Sequence, residues 1–124
     1  MKNERQVCSF ELAKKLRKLG VEQNSSQCWL KCIEEEDYIL CAVIYDGFID
    51  TNARMGLYSE DMVEDTISAF TVTELGELLP YNTYFTKGSI PRVDYDEHHE
   101  KASTEANARA KMLIYLIKEG LIKI

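Results

Sequence analysis

The stretch from Thr104 to Glu119 limits what this chain can fold into more than any other segment. Its first half sets Ala106, Ala108 and Ala110 among polar residues, and its second half reads Met112-Leu113-Ile114-Tyr115-Leu116-Ile117. Wound as a helix, that second half is apolar on nearly every side, and a helix without a polar face is a buried one. The rest of the chain must therefore cover it with a sheet and a further layer, and the alanines allow one neighbour to approach closely. Gly120 then supplies a left-handed terminator, with Leu121 placed to return toward Leu116. The final Ile122-Lys123-Ile124 predicts a docked terminus.

Two further helices are legible. Ser9 caps a segment from Ser9 to Leu19 in which Leu12, Leu16 and Leu19, with Ala13, form an apolar stripe. Glu11 suits the positive end of that helix dipole, and Gly20 and Val21 predict a Schellman-type end. Thr71 and Glu74 have the spacing of a capping box, and Phe70 ahead of the cap is placed to staple onto Leu75. Leu75, Leu78 and Leu79 are expected to face inward, and Pro80 bars continuation.

Between these helices the composition turns to strand formers. Gln27–Ile33 and Tyr38–Tyr45 flank Glu34-Glu35-Glu36-Asp37, and Asp46-Gly47 before Phe48-Ile49 reads as a tight hairpin turn. Cys41, Val43 and Tyr45 would share one face and Leu40, Ala42 and Ile44 the other, so this strand is expected to be central and covered on both sides. Residues 51–65 are polar and without period, which predicts a loop or a short helix near Asp61–Asp65 and local mobility. Thr83–Lys87 and Arg92–Tyr95 predict a second hairpin around Gly88-Ser89, with Pro91 placing the returning strand at an edge. The expected fold is α+β, one domain over residues 1–124. An antiparallel sheet of four to five strands would pack with three helices, with helix–sheet–helix layers as one arrangement.

The chain has 124 residues and a net charge of −6, from 21 acidic against 15 basic side chains. That balance repels phosphate backbones and argues against nucleic acid as a partner. The densest basic stretch, Lys14, Lys15, Arg17 and Lys18, sits on one short helix. The N-terminus lacks the apolar core of a signal peptide. The longest apolar runs, Ile39–Tyr45 and Met112–Ile117, fall far short of the ~20 residues a membrane helix needs. A cytoplasmic protein without a membrane partner is expected, with Cys8, Cys28, Cys32 and Cys41 as reduced thiols.

Ala69-Phe70-Thr71-Val72-Thr73-Glu74-Leu75-Gly76-Glu77-Leu78-Leu79-Pro80 and the stretch Ala102–Ile117, together with Cys8–Gly20, resemble small uncharacterised proteins encoded by phages and integrated elements of gut bacteria. The plan of a hairpin followed by an alanine-rich helix is more distantly similar to the phage ABA sandwich domain, which has helix, sheet and helix layers. The resemblance implies an accessory protein of a mobile element working in a host cytoplasm, and no catalytic residues come with it. Residues 27–68 and 81–101 depart from the pattern.

Candidate chemistry concentrates in Asp94-Tyr95-Asp96-Glu97-His98-His99-Glu100. Carboxylates beside imidazoles are what a divalent metal or acid–base site needs. Asp94, Asp96, His98 and His99 are thus the candidates for a small metal-dependent hydrolase or nuclease. Asp94 and Asp96 would lie on a strand and the histidines in a loop beyond it, with no fixed metal-binding spacing. A solvated loop is the competing reading.

Cys28 and Cys32 are four residues apart on a strand rather than in the tight turn of a zinc site, which favours ordinary buried thiols. The Cys28–Cys41 face could hold a pocket for a small ligand or nucleotide. Acidic runs at Glu34–Asp37 and Ser59–Asp65 read as solvated segments. Tyr81, Tyr84 and Tyr95 are candidates for an interface, with core-edge packing as the alternative. No residue set defines an enzyme and no cofactor is implied. The leading expectation is a non-enzymatic interaction or accessory protein whose partner is a second copy or a host protein.

Overall fold

The computed structural model describes residues 6–50 and 57–123. The terminal helix α3 (Glu105–Lys118) is enclosed as its composition requires. Ala106, Ala108, Ala110, Met112, Leu113, Ile114 and Leu116 are all buried. Its ends follow the local chemistry. The Thr104 hydroxyl accepts from the Asn107 N–H at 3.2 Å, and the Leu121 N–H returns to the Leu116 carbonyl at 2.9 Å. The Leu121 side chain itself remains in solvent.

The other two helices also stand where expected. In α1 (Phe10–Lys18) the Ser9 hydroxyl caps Leu12 N–H. Gly20 at φ 95 lets the Val21 N–H close on the Leu16 carbonyl. In α2 (Val72–Leu78) the capping box between Thr71 and Glu74 is complete. Phe70 and Leu75 are both buried in the main core, as a hydrophobic staple requires. Leu79 is buried with them, but Leu78 lies on the outer side of the helix and is exposed.

The strands are β1 (Gln27–Cys32), β2 (Ile39–Ile44), β3 (Gly47–Asp50), β4 (Leu57–Tyr58) and β5 (Val63–Ser68), then β6 (Tyr84–Thr86), β7 (Arg92–Tyr95) and β8 (His98–Lys101). They form two antiparallel sheets rather than one, a five-stranded sheet ordered β4-β3-β2-β1-β5 and a three-stranded sheet ordered β6-β7-β8. The α+β class and the five strands of the main sheet agree with the sequence reading. The layer order is instead sheet, helices, sheet. Helix α3 lies on β7 and β8 and against α1 and α2, while α1 reaches β5 of the large sheet. A helix apolar all round can be enclosed in this way, with a sheet on one side and helices on the other.

Several local expectations are corrected. The first hairpin turns one residue early: Ile44 pairs with Gly47, so Tyr45 and Asp46 form the turn and Tyr45 stands at its tip in solvent. Gly47 is needed for a different reason. A Cβ there would come within 2.2 Å of the Tyr58 carbonyl oxygen of β4, and its φ of 148° suits glycine alone. The polar stretch at Val63–Ser68 is strand β5, pairing with β1, because Ile67 turns into the core while Glu64 and Asp65 find basic partners in Lys31 and Arg17. A short 3-10 turn (Glu60–Met62) precedes it. Residues 51–56, part of the expected loop, lie outside the described residues. Pro91 stands just before β7, where its missing N–H breaks no ladder bond, so β7 is the central strand of the small sheet. Strand β2 is central as expected and buries Leu40 on one face and Cys41 on the other, but the cover thins toward the turn, where Val43 is exposed.

A polar network ties α2 to the large sheet. The Glu74 carboxylate accepts from Ser25 Oγ at 2.6 Å, from Thr71 N–H at 2.9 Å and from Ser26 N–H at 3.0 Å. Burial works against its ionisation, but these hydrogen bonds outweigh burial and hold the carboxyl below its ordinary range. Burial likewise opposes ionisation of Asp65, and hydrogen bonds from Tyr38 (2.6 Å) and Arg17 (3.0 Å), with the arginine charge, lower it.

Both folded-state values are depressed. Their stabilisation is therefore complete above the unfolded carboxylate range near pH 4 and is lost as pH falls through the lower folded values. Urea denaturation is expected to show stability dropping below about pH 4, and Glu74→Gln to shrink that drop. At pH 7, Glu74→Ala should cost on the order of 2–3 kcal/mol. Gly47→Ala is expected to lose about 2 kcal/mol or more in the same assay, since the strain and the clash act together.

Candidate binding groove on the large sheet

The cluster that looked most like chemistry in the sequence does not converge. His98 and His99 lie on strand β8 rather than in a loop, and Asp96, at φ 53, begins the two-residue turn joining β7 to β8. Opposed residues of antiparallel strands share a face. The pairs Asp94–His99 and Arg92–Lys101 therefore share one face, and Tyr95–His98 and Val93–Glu100 the other.

On the outer face Asp94 is held by Arg92 at 2.8 Å, and its carboxyl is lowered chiefly by that hydrogen bond. On the inner face His98 stacks on Tyr115 of α3, ring centroids 3.5 Å apart, and its Nε2 lies 2.5 Å from a Glu100 carboxylate oxygen. The sheet thus separates Asp94 and His99 from His98, and Asp96 stands at the hairpin tip. Among the described residues no group of three or more His, Cys, Asp or Glu side chains is placed to hold a metal ion.

The tyrosines divide in the same way. Tyr81 and Tyr84 are exposed, the latter on edge strand β6, whereas Tyr95 packs into the core beneath the small sheet. The neighbouring Phe85 ring carries the Arg109 guanidinium 3.9 Å from its centroid, and Arg109 also donates to the Val72 carbonyl at 2.9 Å.

A concave site does exist, on the large sheet. The helices lie against the face that carries Trp29, Leu40 and Ile67. The opposite face carries Cys28, Leu30 and Cys41, packed with Cys32, Ile39, Phe48, Tyr58 and Val63. Beside this cluster opens a groove of about 570 Å³, within the roughly 300–1,000 Å³ typical of ligand sites. Leu30, Ile39 and Tyr58 line it, and Ile33 and Met62 form walls that remain 57% and 45% exposed. The Ile33 N–H donates to the Met62 carbonyl at 3.1 Å and so joins those walls. A register shift between Lys31 and Cys32 loosens the β1–β5 ladder at the same place. Glu34, Glu35, Asp37 and Asp61 complete the lining.

The thiols on this face are structural. Burial pushes Cys28 up to about 11 and Cys41 up to about 12, and Cys8, at the entry to α1, up to about 12. Cys32, partly exposed in the groove, is raised by burial and by the Glu35 charge, with Lys31 opposing. All four are free.

The sequence pointed to this face through the alternation Cys28, Leu30, Cys32 and its pairing with Cys41. It did not point to Tyr58, Met62 or Asp61, which only the strand order brings alongside. No family model matches the chain, and no curated protein or solved structure matches it either.

Because thiolate is the reactive form, iodoacetamide at pH 8 is expected to modify Cys32 first, and more slowly than a free thiol. Cys8, Cys28 and Cys41 should react only on unfolding. Peptide mapping after timed alkylation reads this directly, and fast labelling of Cys28 or Cys41 in the folded protein would contradict it.

Proposed function

We propose that this protein is a non-enzymatic interaction module that binds its partner through the groove on the outer face of the large sheet. More particularly, it acts as an accessory protein of a mobile genetic element. The observation that carries the binding role is the groove itself, where large apolar side chains stand in solvent around a formed cavity. Exposed apolar walls of this kind are characteristic of surfaces that meet another molecule. The mobile-element setting rests on the resemblance of Ala69–Pro80 and Ala102–Ile117 to small phage-encoded proteins. Tyr81 and Tyr84 offer a second, smaller contact surface at the opposite sheet.

A small-ligand role is the second reading, favoured by the position of the groove on the Cys28–Cys41 face and by its volume. Native mass spectrometry separates the two, since a small ligand would appear as a fixed mass increment on the purified chain.

Ile33 and Met62 are exposed, so Ile33→Asp/Met62→Asp leaves the core intact. Affinity capture from a host lysate, with the wild type and this variant compared side by side, is expected to retain a partner on the wild type and lose it from the variant. Identical captures by the two proteins would overturn the reading.

A further inference from the structure

Resting on the groove reading above, we propose that the occupant is a basic, apolar segment of a partner protein. Its large apolar side chains would sit on Leu30, Ile39 and Tyr58, and its flanking lysine or arginine side chains would meet Glu34, Glu35, Asp37 and Asp61. The floor selects apolar side chains, since it offers chiefly hydrocarbon and aromatic surface. The rim selects charge. It holds four carboxylates, and among the described residues no lysine or arginine lines it.

Elsewhere several acids are neutralised. Asp65 faces Arg17, Glu64 faces Lys31, Asp94 faces Arg92, and Glu74 is saturated by hydrogen bonds. By contrast, among the described residues Glu34, Glu35 and Asp37 form no ion pair and Asp61 meets only the Ser59 hydroxyl. All four are exposed. The groove is thus a local concentration of negative potential around an apolar floor, on a chain already at −6. Such a field draws cations in and repels phosphate-bearing ligands.

The most basic helix of a second copy fits less well. Its side chains Lys14, Lys15 and Lys18 lie on α1, but the apolar stripe of that helix, Ala13 and Leu16, is buried in its own core. That helix would bring charge without anything to place on the floor.

The test uses the full chain, labelled with ¹⁵N, titrated with three synthetic peptides of equal length and equal leucine and phenylalanine content. One carries lysine at its polar positions, one glutamine and one glutamate. The lysine peptide is expected to shift the amides of Leu30, Ile33, Ile39, Tyr58 and Met62 and to slow alkylation of Cys32. It should bind roughly tenfold more tightly than the glutamine peptide at low salt, with the advantage lost near 1 M salt. The same advantage should disappear in the exposed-site variant Glu34→Gln/Glu35→Gln/Asp37→Asn/Asp61→Asn.

If the glutamine peptide binds the same amides equally well, the groove stands and the basic occupant falls. If none of the three perturbs those amides, the groove reading and the inference fall together. Light scattering without peptide covers the remaining occupant. Salt-sensitive self-association that shifts the groove amides would install a second copy there and overturn the proposal.

Discussion

Enclosure of the C-terminal helix is the condition on which the rest of the molecule depends. Each large apolar side chain that α3 takes out of water contributes on the order of 1.5–3 kcal/mol, and the helix carries Met112, Leu113, Ile114 and Leu116 in succession. No single sheet face can receive side chains that leave a helix in every direction. The chain answers with the small sheet on one side of α3 and with α1 and α2 on another. The alanines at 106, 108 and 110 let those neighbours come close. Two polar groups on α3 bond to the other helices: the Asn107 side-chain oxygen accepts from Ser9 N–H at 2.7 Å, and Arg109 donates to the Val72 carbonyl. These two bonds tie α3 to the starts of both other helices.

The binding surface follows from that arrangement. With all three helices on the inner side, the large sheet presents its other face, among the described residues, without an α-helix over it. Cys28, Leu30 and Cys41 are shielded by side chains of the sheet itself and of its connections, and beyond them the cover gives out. The β1–β2 connection, Glu34–Asp37, is acidic, and the turn at Glu60–Met62 adds Asp61. Charges at such connections help keep an exposed sheet soluble. Placed around an apolar floor, they also define which molecules can approach it.

The reverse happened to the segment that looked most reactive. The residues from Asp94 to Glu100 are close in sequence, but a two-residue turn folds them into paired strands, and strand alternation sends neighbours to opposite faces. His98 became a packing residue on Tyr115 and Asp94 the partner of Arg92. Proximity along the chain therefore did not bring Asp94, Asp96, His98 and His99 together.

What the amino-acid order determined alone was whatever depends on neighbours within one helical turn or one strand. The Ser9 and Thr71 caps were readable for that reason, as were the glycine-ended helices, the apolar faces of β1 and β2 and the burial of α3, because caps and periodicity are short-range. Tertiary structure decided the remainder. Strand β5 hid behind Glu64-Asp65-Thr66, since its pairing with β1 and its partners Lys31 and Arg17 lie far away in the chain. Gly47 looked like a turn residue because its need for a missing side chain comes from Tyr58 on another strand. The split into two sheets and the groove of Leu30, Ile33, Tyr58 and Met62 arise the same way. They are set by which surfaces remain once α3 has been covered, a competition among distant segments that no local pattern records.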